Sequence, residues 1–204
     1  NEADFMLNKS KQEILNSIGK VQNRPNYENR GIWFDRGTIV NIKSQEEMGR
    51  FFDKLKASGI NTVYFETFNA GYTIYPSNVA VQNPLTKGTD PLKWAVWEAH
   101  KRNIKIHAWL WIFAVGNTRH NSIISKGQNF EGPVLSKHPD WALIGMNGNY
   151  QPKNQPEFWI DPSSKPARQF IISLGQEIAK KYDIDGIQLD YIRYPFQKTD
   201  NLMG

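Results

Sequence analysis

The feature that most restricts this chain is a rhythm. Four short segments, residues 30–35 (RGIWFD), 61–67 (NTVYFET), 105–113 (KIHAWLWIF) and 186–193 (GIQLDYIR), are separated by stretches of helical periodicity. A helix is predicted over 45–57 and closed by Gly59. A second runs over 91–102, opened by Asp90 as cap and Pro91 in the first turn, and a third over about 166–182. Strand, helix, strand at this spacing predicts parallel strands joined by right-handed crossovers, because a tight turn cannot bring a strand back parallel to its neighbour. The fold class is α/β.

Side-chain parity separates an open sheet from a barrel. Central strands of an open sheet covered on both faces are apolar throughout. Here each strand has one aliphatic side and one polar or aromatic side. Ile32 and Phe34 oppose Trp33 and Asp35, and Val63 and Phe65 oppose Thr62, Tyr64 and Glu66. Ile106, Ala108, Leu110 and Ile112 oppose His107, Trp109 and Trp111, and Ile187 and Leu189 oppose Gln188 and Asp190. Period two makes these opposite faces. The aliphatic face suits a helix layer and the other a barrel interior, so a (β/α)8 TIM-barrel type is expected, with the site at the C-terminal ends of its strands. Such a barrel typically takes about 250 residues, and this chain has 204 with four strand–helix starts. The count predicts the first half of a barrel, residues 30–204, completed by a C-terminal half or by self-association. An unpaired strand edge with apolar flanks is an aggregation hazard.

Residues 1–29 are expected to form a lead-in, with an amphipathic helix over 10–21 capped by Ser10 and Glu13. Residue 1 is Asn, which fits a processed chain. No apolar run approaches the roughly 18 residues of a membrane span. The absence of cysteine excludes disulfides, cysteine-ligated zinc and a thiol nucleophile. The net charge of +5 comes from scattered basic residues, so a nucleic-acid partner is not expected. No HxH, HExxH, EF-hand, GxGxxG, Walker A or GxSxG pattern occurs, and no metal or other cofactor is expected.

Chemistry is expected at the strand ends. Asp190 and Glu66 share the inward parity and are the catalytic candidates, and Asp35 is a third acid at the end of the first strand. Two carboxylates across a cavity are what glycoside hydrolysis requires, one protonating the leaving oxygen and the other acting as nucleophile or base. The structural alternative pairs these acids with Arg36 and Arg193 to close the barrel top, and the second carboxylate could also lie in the other half. Aromatic residues make up 13% of the chain. Trp33, Tyr64, Trp109 and Trp111 fall on the inward parity as a sugar platform, with core packing claiming a share. Phe68, Tyr72 and Tyr75 follow the second strand. Flat amphipathic rings beside carboxylates suit the C–H faces and hydroxyl rims of sugars. Trp94 and Trp97, at helical spacing, are expected to be packing residues. Residues 114–166 hold six of the eleven prolines and are expected to wall the cleft, with Asn69, Asn117, Asp161, Tyr191 and Arg193 as polar contacts. His107 and His138 are expected to be structural.

On these residues the chain resembles the glycosyl-hydrolase-like 10 family, also described as DUF187. The motifs are RGIWF, GINTVYFET with the downstream YPS, EAHKRNIKIHAWLWIF, HPDW, WIDPSS and KYDIDGIQLDYIRYP, running from about residue 30 to 195. The resemblance implies a TIM-barrel protein, usually bacterial and secreted or in the cell envelope. It also implies glycoside hydrolase activity on a polysaccharide such as the peptidoglycan glycan, with Asp190 as the strand-four acid. The rival expectations are a non-catalytic glycan-binding or assembly module of the envelope and a structural fragment of a larger particle.

Overall fold

The structure is a computed structural model that describes residues 6, 8–13, 28–145, 148, 151–152 and 154–195. Residues 8–13 are helical, so Ser10 lies inside a helix that starts earlier, rather than capping one. The remainder of the expected lead-in helix, 14–21, lies outside the described residues.

Strand β1 (Gly31–Phe34) leads through the short helix α1 (Arg36–Ile39) to α2 (Gln45–Ala57) and β2 (Thr62–Asn69). Two short strands, β3 (Tyr72–Thr73) and β4 (Val81–Gln82), precede α3 (Pro91–His100) and β5 (Lys105–Trp111). The segment after β5 contains β6 (Ala114–Asn117), α4 (Thr118–Ile123), α5 (Pro133–Lys137) and β7 (Glu157–Trp159). Helix α6 (Lys165–Lys181) then returns the chain to β8 (Gly186–Asp190). The strands β1, β2, β5 and β8 are neighbours in that order, all parallel. This is the α/β, barrel-type architecture that the rhythm predicts. The segment after β5 carries more order than its proline content suggested, since β6 and β7 form a separate antiparallel pair.

The helices start where side chains can satisfy orphan backbone donors. Ser44 accepts from the Glu47 N–H at the start of α2, and Asp90 accepts from the Lys93 N–H at 3.0 Å at the start of α3. Glu46 and Glu47 open α2 and Lys54 and Lys56 close it, which suits the helix dipole. The chain leaves α2 through Gly59 at φ 76°, a left-handed conformation that costs glycine little. Met48, Phe52 and Leu55 share one buried stripe of α2. They meet the aliphatic face formed by Phe34, Val63, Phe65, Ile106, Ala108 and Leu110, together with Leu92, Ala95 and Ala99 of α3 and Leu174 and Ile178 of α6. Burying one ring such as Phe52 is worth about 2–3 kcal/mol, so this layer carries the fold.

The other face of the sheet is ordered in rows by the ladder register. Trp33, Tyr64, His107 and Gly186 lie side by side across the four strands, and Glu66, Trp109 and Gln188 form the next row. Trp111 and Asp190 form a third, at the strand ends. Trp33 stacks on Tyr64 at 5.2 Å, and Tyr64 meets His107 edge-on at 5.3 Å. Two glycines make room for these rings. A Cβ on Gly31 would lie 2.8 Å from the Tyr64 ring, and one on Gly186 would lie 2.8 Å from the His107 ring. At the β8 edge Ile187 and Leu189 are exposed, and Trp33 is 57% exposed on the opposite face at β1.

Candidate functional site

Strand β8 ends in a tightly held corner. Asp190 accepts a hydrogen bond from the Trp109 indole N–H at 3.0 Å and another from the Tyr191 backbone N–H at 2.7 Å. Its backbone carbonyl accepts from the Ile112 N–H at 2.8 Å. Tyr191 turns the chain at φ 53°, a conformation uncommon for a residue with a side chain and typical of sites where geometry is imposed by surroundings. This turn ends the strand three residues sooner than the alternation predicted. The Tyr191 ring stacks on Trp111 at 4.0 Å and 20°, and the Arg193 guanidinium lies over the rings of Trp159 and Tyr191 at 5.4 and 5.5 Å. Arg193 thus rests on aromatic faces beside Asp190.

Strand β2 ends differently. A bulge between Glu66 and Phe68 shifts the register by one residue. Glu66 and Asn69, three residues apart, thereby come to share the inner face. The Asn69 amide donates to one Glu66 oxygen at 2.7 Å, the Arg36 backbone N–H donates to the other, and the Arg36 guanidinium donates to the Asn69 carbonyl oxygen. Glu66 is 4% exposed. Burial pushes its carboxyl up to about 7, against the lowering effect of the Arg36 N–H, the Arg36 charge and Asn69. Burial likewise lowers the Arg36 guanidinium, against the charges of Glu66 and Asp35. By strand spacing, the Cα atoms of Glu66 and Asp190 are roughly 12 Å apart, two strands across and two residues along. Glu66 is engaged with Arg36 and Asn69, whereas Asp190 takes its donors from Trp109 and Tyr191.

The other sequence-nominated residues divide in the same way. Asp35 caps α1, accepting from the Thr38 N–H at 2.8 Å. Asn117 caps α4 through the Arg119 and His120 N–H groups, and Asp161 holds a turn through the Ser163 N–H and hydroxyl at 2.7 and 2.6 Å. Trp33 and Tyr64 occupy the row below Glu66, and the Tyr64 hydroxyl accepts from the Asn29 amide at 2.9 Å. Phe68, Tyr72 and Tyr75, expected on the loop after the second strand, are buried in the core. Tyr75 and Ser77 donate to Glu177 of α6 at 2.8 and 2.5 Å, which draws the loop after β2 down onto that helix. His138 stacks on Trp141 at 3.9 Å. Trp97, expected to pack, is 64% exposed, whereas Trp94 does pack against the core. Helical spacing correctly put the two on one helix, but three residues span nearly a full turn less 60°, enough to swing Trp97 off the apolar stripe.

Residue types alone missed Glu157, and placed Trp159 only within the segment expected to wall the cleft. Both are buried in β7, and the Asn117 amide donates to Glu157 at 3.4 Å. Burial raises the Glu157 carboxyl, opposed by its own backbone N–H and by the charges of Arg119 and Arg193. Burial raises the Tyr191 hydroxyl, and the negative charges of Glu157, Asp190 and Glu66 raise it further, so Tyr191 stands in the field of all three acids. The signal for β7 was present as the alternation of Glu157, Trp159 and Asp161 just after Pro156. Among the described residues the indole N–H groups of Trp111 and Trp159 and the side-chain oxygen of Gln188 are buried without a protein partner. No group of three or more His, Asp or Glu among those residues is arranged to hold a metal ion.

The chain is similar to known proteins in sequence and in fold. Glycosyl hydrolase DigH of Escherichia coli K12 is 31% identical over 157 residues, covering 72% of this chain and 34% of DigH. Glycosyl hydrolase YngK of Bacillus subtilis is 28% identical over 169 residues, covering 79% of this chain and 30% of YngK. The chain thus spans about a third of the length of these relatives. Among solved structures, α-L-fucosidase isoenzyme 2 from Paenibacillus thiaminolyticus superposes with a TM-score of 0.58 at 18% identity, over 80% of this chain and 23% of that one. At that identity the likeness is one of fold. The sequence profile of the glycosyl hydrolase-like 10 family matches residues 28–201, and the chain belongs to that family.

Proposed function

We propose that this chain carries the β8 side of a glycoside hydrolase site that cleaves a polysaccharide, with Asp190 as the acting carboxylate. The observation that carries the reading is the fixed position of Asp190 at a strand's C-terminal end. It is oriented by Trp109 and by the backbone of a strained Tyr191, beside the Trp111–Tyr191 stack and Arg193. Barrel enzymes hold their reactive groups at this end. A carboxylate there can attack or deprotonate across a sugar ring lying on the aromatic wall. Trp109 is a positioning residue, and Tyr191, Trp111 and Arg193 contact the substrate. Trp33 and Tyr64 lie further down the same inner face and extend it. The peptidoglycan glycan is the first substrate to test, and that substrate would place the protein's work in the bacterial envelope or outside the cell. No helix among the described residues is long and apolar enough to cross a membrane. The site is completed by residues from the other part of the barrel.

Replacing Asp190 by Asn keeps the shape and removes the charge. Release of reducing ends from purified cell-wall glycan should fall by about 10³-fold while the circular dichroism spectrum and Tm stay close to wild type. Unchanged release would exclude the role. One observation favours a second reading, a glycan-binding module without turnover: Glu66, the acid nominated as partner, is buried and engaged by Arg36 and Asn69. Glycan binding with no reducing ends released by the wild-type protein, with both parts of the barrel present, would establish that alternative.

A further inference from the structure

The outer helix layer carries a second surface that the Asp190 site does not use. Helices α2 and α3 are tied together, Gln45 donating to Glu98 at 3.1 Å and Arg102 to Asp53 at 2.8 Å. Helix α3 and the end of α6 stand further apart, bridged by the Tyr182 hydroxyl on Asp90 at 2.9 Å and by His100, which lies 3.0 Å from Asp185 and 3.7 Å from Asp183. Between them runs an open groove of about 780 Å³. Lys93, Trp97 and Lys101 follow one another at four-residue spacing along its α3 wall. That spacing places all three on one helix face. All three are exposed, Trp97 at 64%. The opposite wall is Lys181 and Tyr182, with the Lys181 ammonium over the rings of Tyr75 and Tyr182 at 5.5 and 5.4 Å. Lys101 and Asp183 come just before β5 and β8 begin, so the groove lies towards the strand starts, away from the strand ends that carry Asp190.

An exposed indole bracketed by two ammonium groups one turn away on either side presents a flat apolar face flanked by positive charge. A sugar ring whose neighbours bear carboxylates matches that order: C–H face on indole, carboxylate on lysine. Of the lining residues Asp183 is the acid, against Lys93, Lys101 and Lys181, the last of which also donates to the Pro76 carbonyl, so the balance favours an anion held chiefly by Lys93 and Lys101. We infer that this groove is a non-catalytic binding site for a carboxylated polysaccharide, holding a polymer against the protein away from Asp190. Choosing a glycan over an acidic peptide rests on the carbohydrate-directed reading of the chain, and the experiment separates the two.

The test is calorimetric binding of polygalacturonate to the 204-residue chain carrying Asp190→Asn, with dextran as the neutral polymer and poly-glutamate as the acidic peptide. Trp97→Ala should weaken polygalacturonate binding about tenfold. Lys93→Gln with Lys101→Gln should weaken it similarly and flatten its dependence on salt, since exposed charges are screened. Dextran should not distinguish the parent from Trp97→Ala. Equal polygalacturonate binding by the parent and Trp97→Ala would overturn the inference. Poly-glutamate binding as tightly, with the same dependence on Trp97, would make this a peptide site. A Trp97-dependent dimer in sedimentation, without polygalacturonate binding, would make the occupant a second copy. A loss of binding here leaves turnover at Asp190 untouched, and a silent Asp190→Asn leaves this binding untouched, so the two readings fail separately.

Discussion

The ends of β2 and β8 each place a carboxylate on the inner face of the sheet, and the structure treats the two acids in opposite ways. Glu66 is sealed under Arg36 and Asn69 at 4% exposure, with burial holding it towards its protonated form. Asp190 is only partly buried and takes its donors from Trp109 and from the chain turn at Tyr191. Sequence parity cannot tell them apart, because parity reports which face a side chain leaves from and not what closes over it. What closes over Glu66 is α1, started by the Asp35 cap, which brings the Arg36 N–H and guanidinium down onto the β2 bulge. On the function proposed above, one strand end fixes a loop and the other faces a ligand.

Asp190→Asn against Glu66→Gln tests that division most strongly. The first should lower glycan turnover by about 10³-fold and the second by at most about tenfold, as read by reducing-end release at matched folded concentration. A larger loss from Glu66→Gln would reverse the assignment. Next in size is stability. Arg36→Ala removes the guanidinium that donates to the Asn69 carbonyl oxygen and whose charge faces buried Glu66, while keeping the backbone N–H bond, and should cost about 1–3 kcal/mol in urea unfolding; Arg193→Ala, lying on ring faces, should cost under about 1 kcal/mol.

Acidity sharpens the contrast further. The unfolded chain releases the Glu66 proton near 4.5, whereas the folded chain keeps it to about 7. Between those values the native state binds more protons, so the Glu66 contribution to stability falls as pH rises through this window and levels off above it. Wild type should therefore lose on the order of 1–3 kcal/mol relative to Glu66→Gln on going from about pH 5 to about pH 8. A pH-independent difference would mean that Arg36 and Asn69 hold the carboxylate ionised throughout. Smallest is the positioning effect. Trp109→Phe keeps a ring in the row but removes the donor to Asp190, and kcat should fall about tenfold with KM unchanged. A rise in KM alone would make Trp109 a sugar platform instead.

The fold was legible because it rests on periodicity. Alternation in the four main strands, the Asp90 cap and the Gly59 stop all report local physics, and they reappear in β1, β2, β5, β8, α3 and the end of α2. The candidate site was legible in part. Asp190, Trp109, Trp111, Tyr191 and Arg193 come together because they sit on adjacent strand ends. Long-range pairing is where local reading failed. Glu157 and Trp159 become part of the corner only when β7 pairs with β6, across some forty residues of chain. Tyr75 looked like a loop ring until Glu177, far along the chain, claimed its hydroxyl. Trp97 looked like core because spacing shows a helix but not where its apolar stripe ends.

The central claim, that the inner face at the end of β8 meets the substrate, is tested most directly by indole N–H resonances of the Asp190→Asn chain titrated with a neutral N-acetylglucosamine oligosaccharide, which lacks the carboxylates of whole cell-wall glycan. The account expects the Trp109 and Trp111 signals to shift together as the ligand is added, with Trp94 unmoved. Saturable binding that leaves Trp109 and Trp111 in place would contradict it.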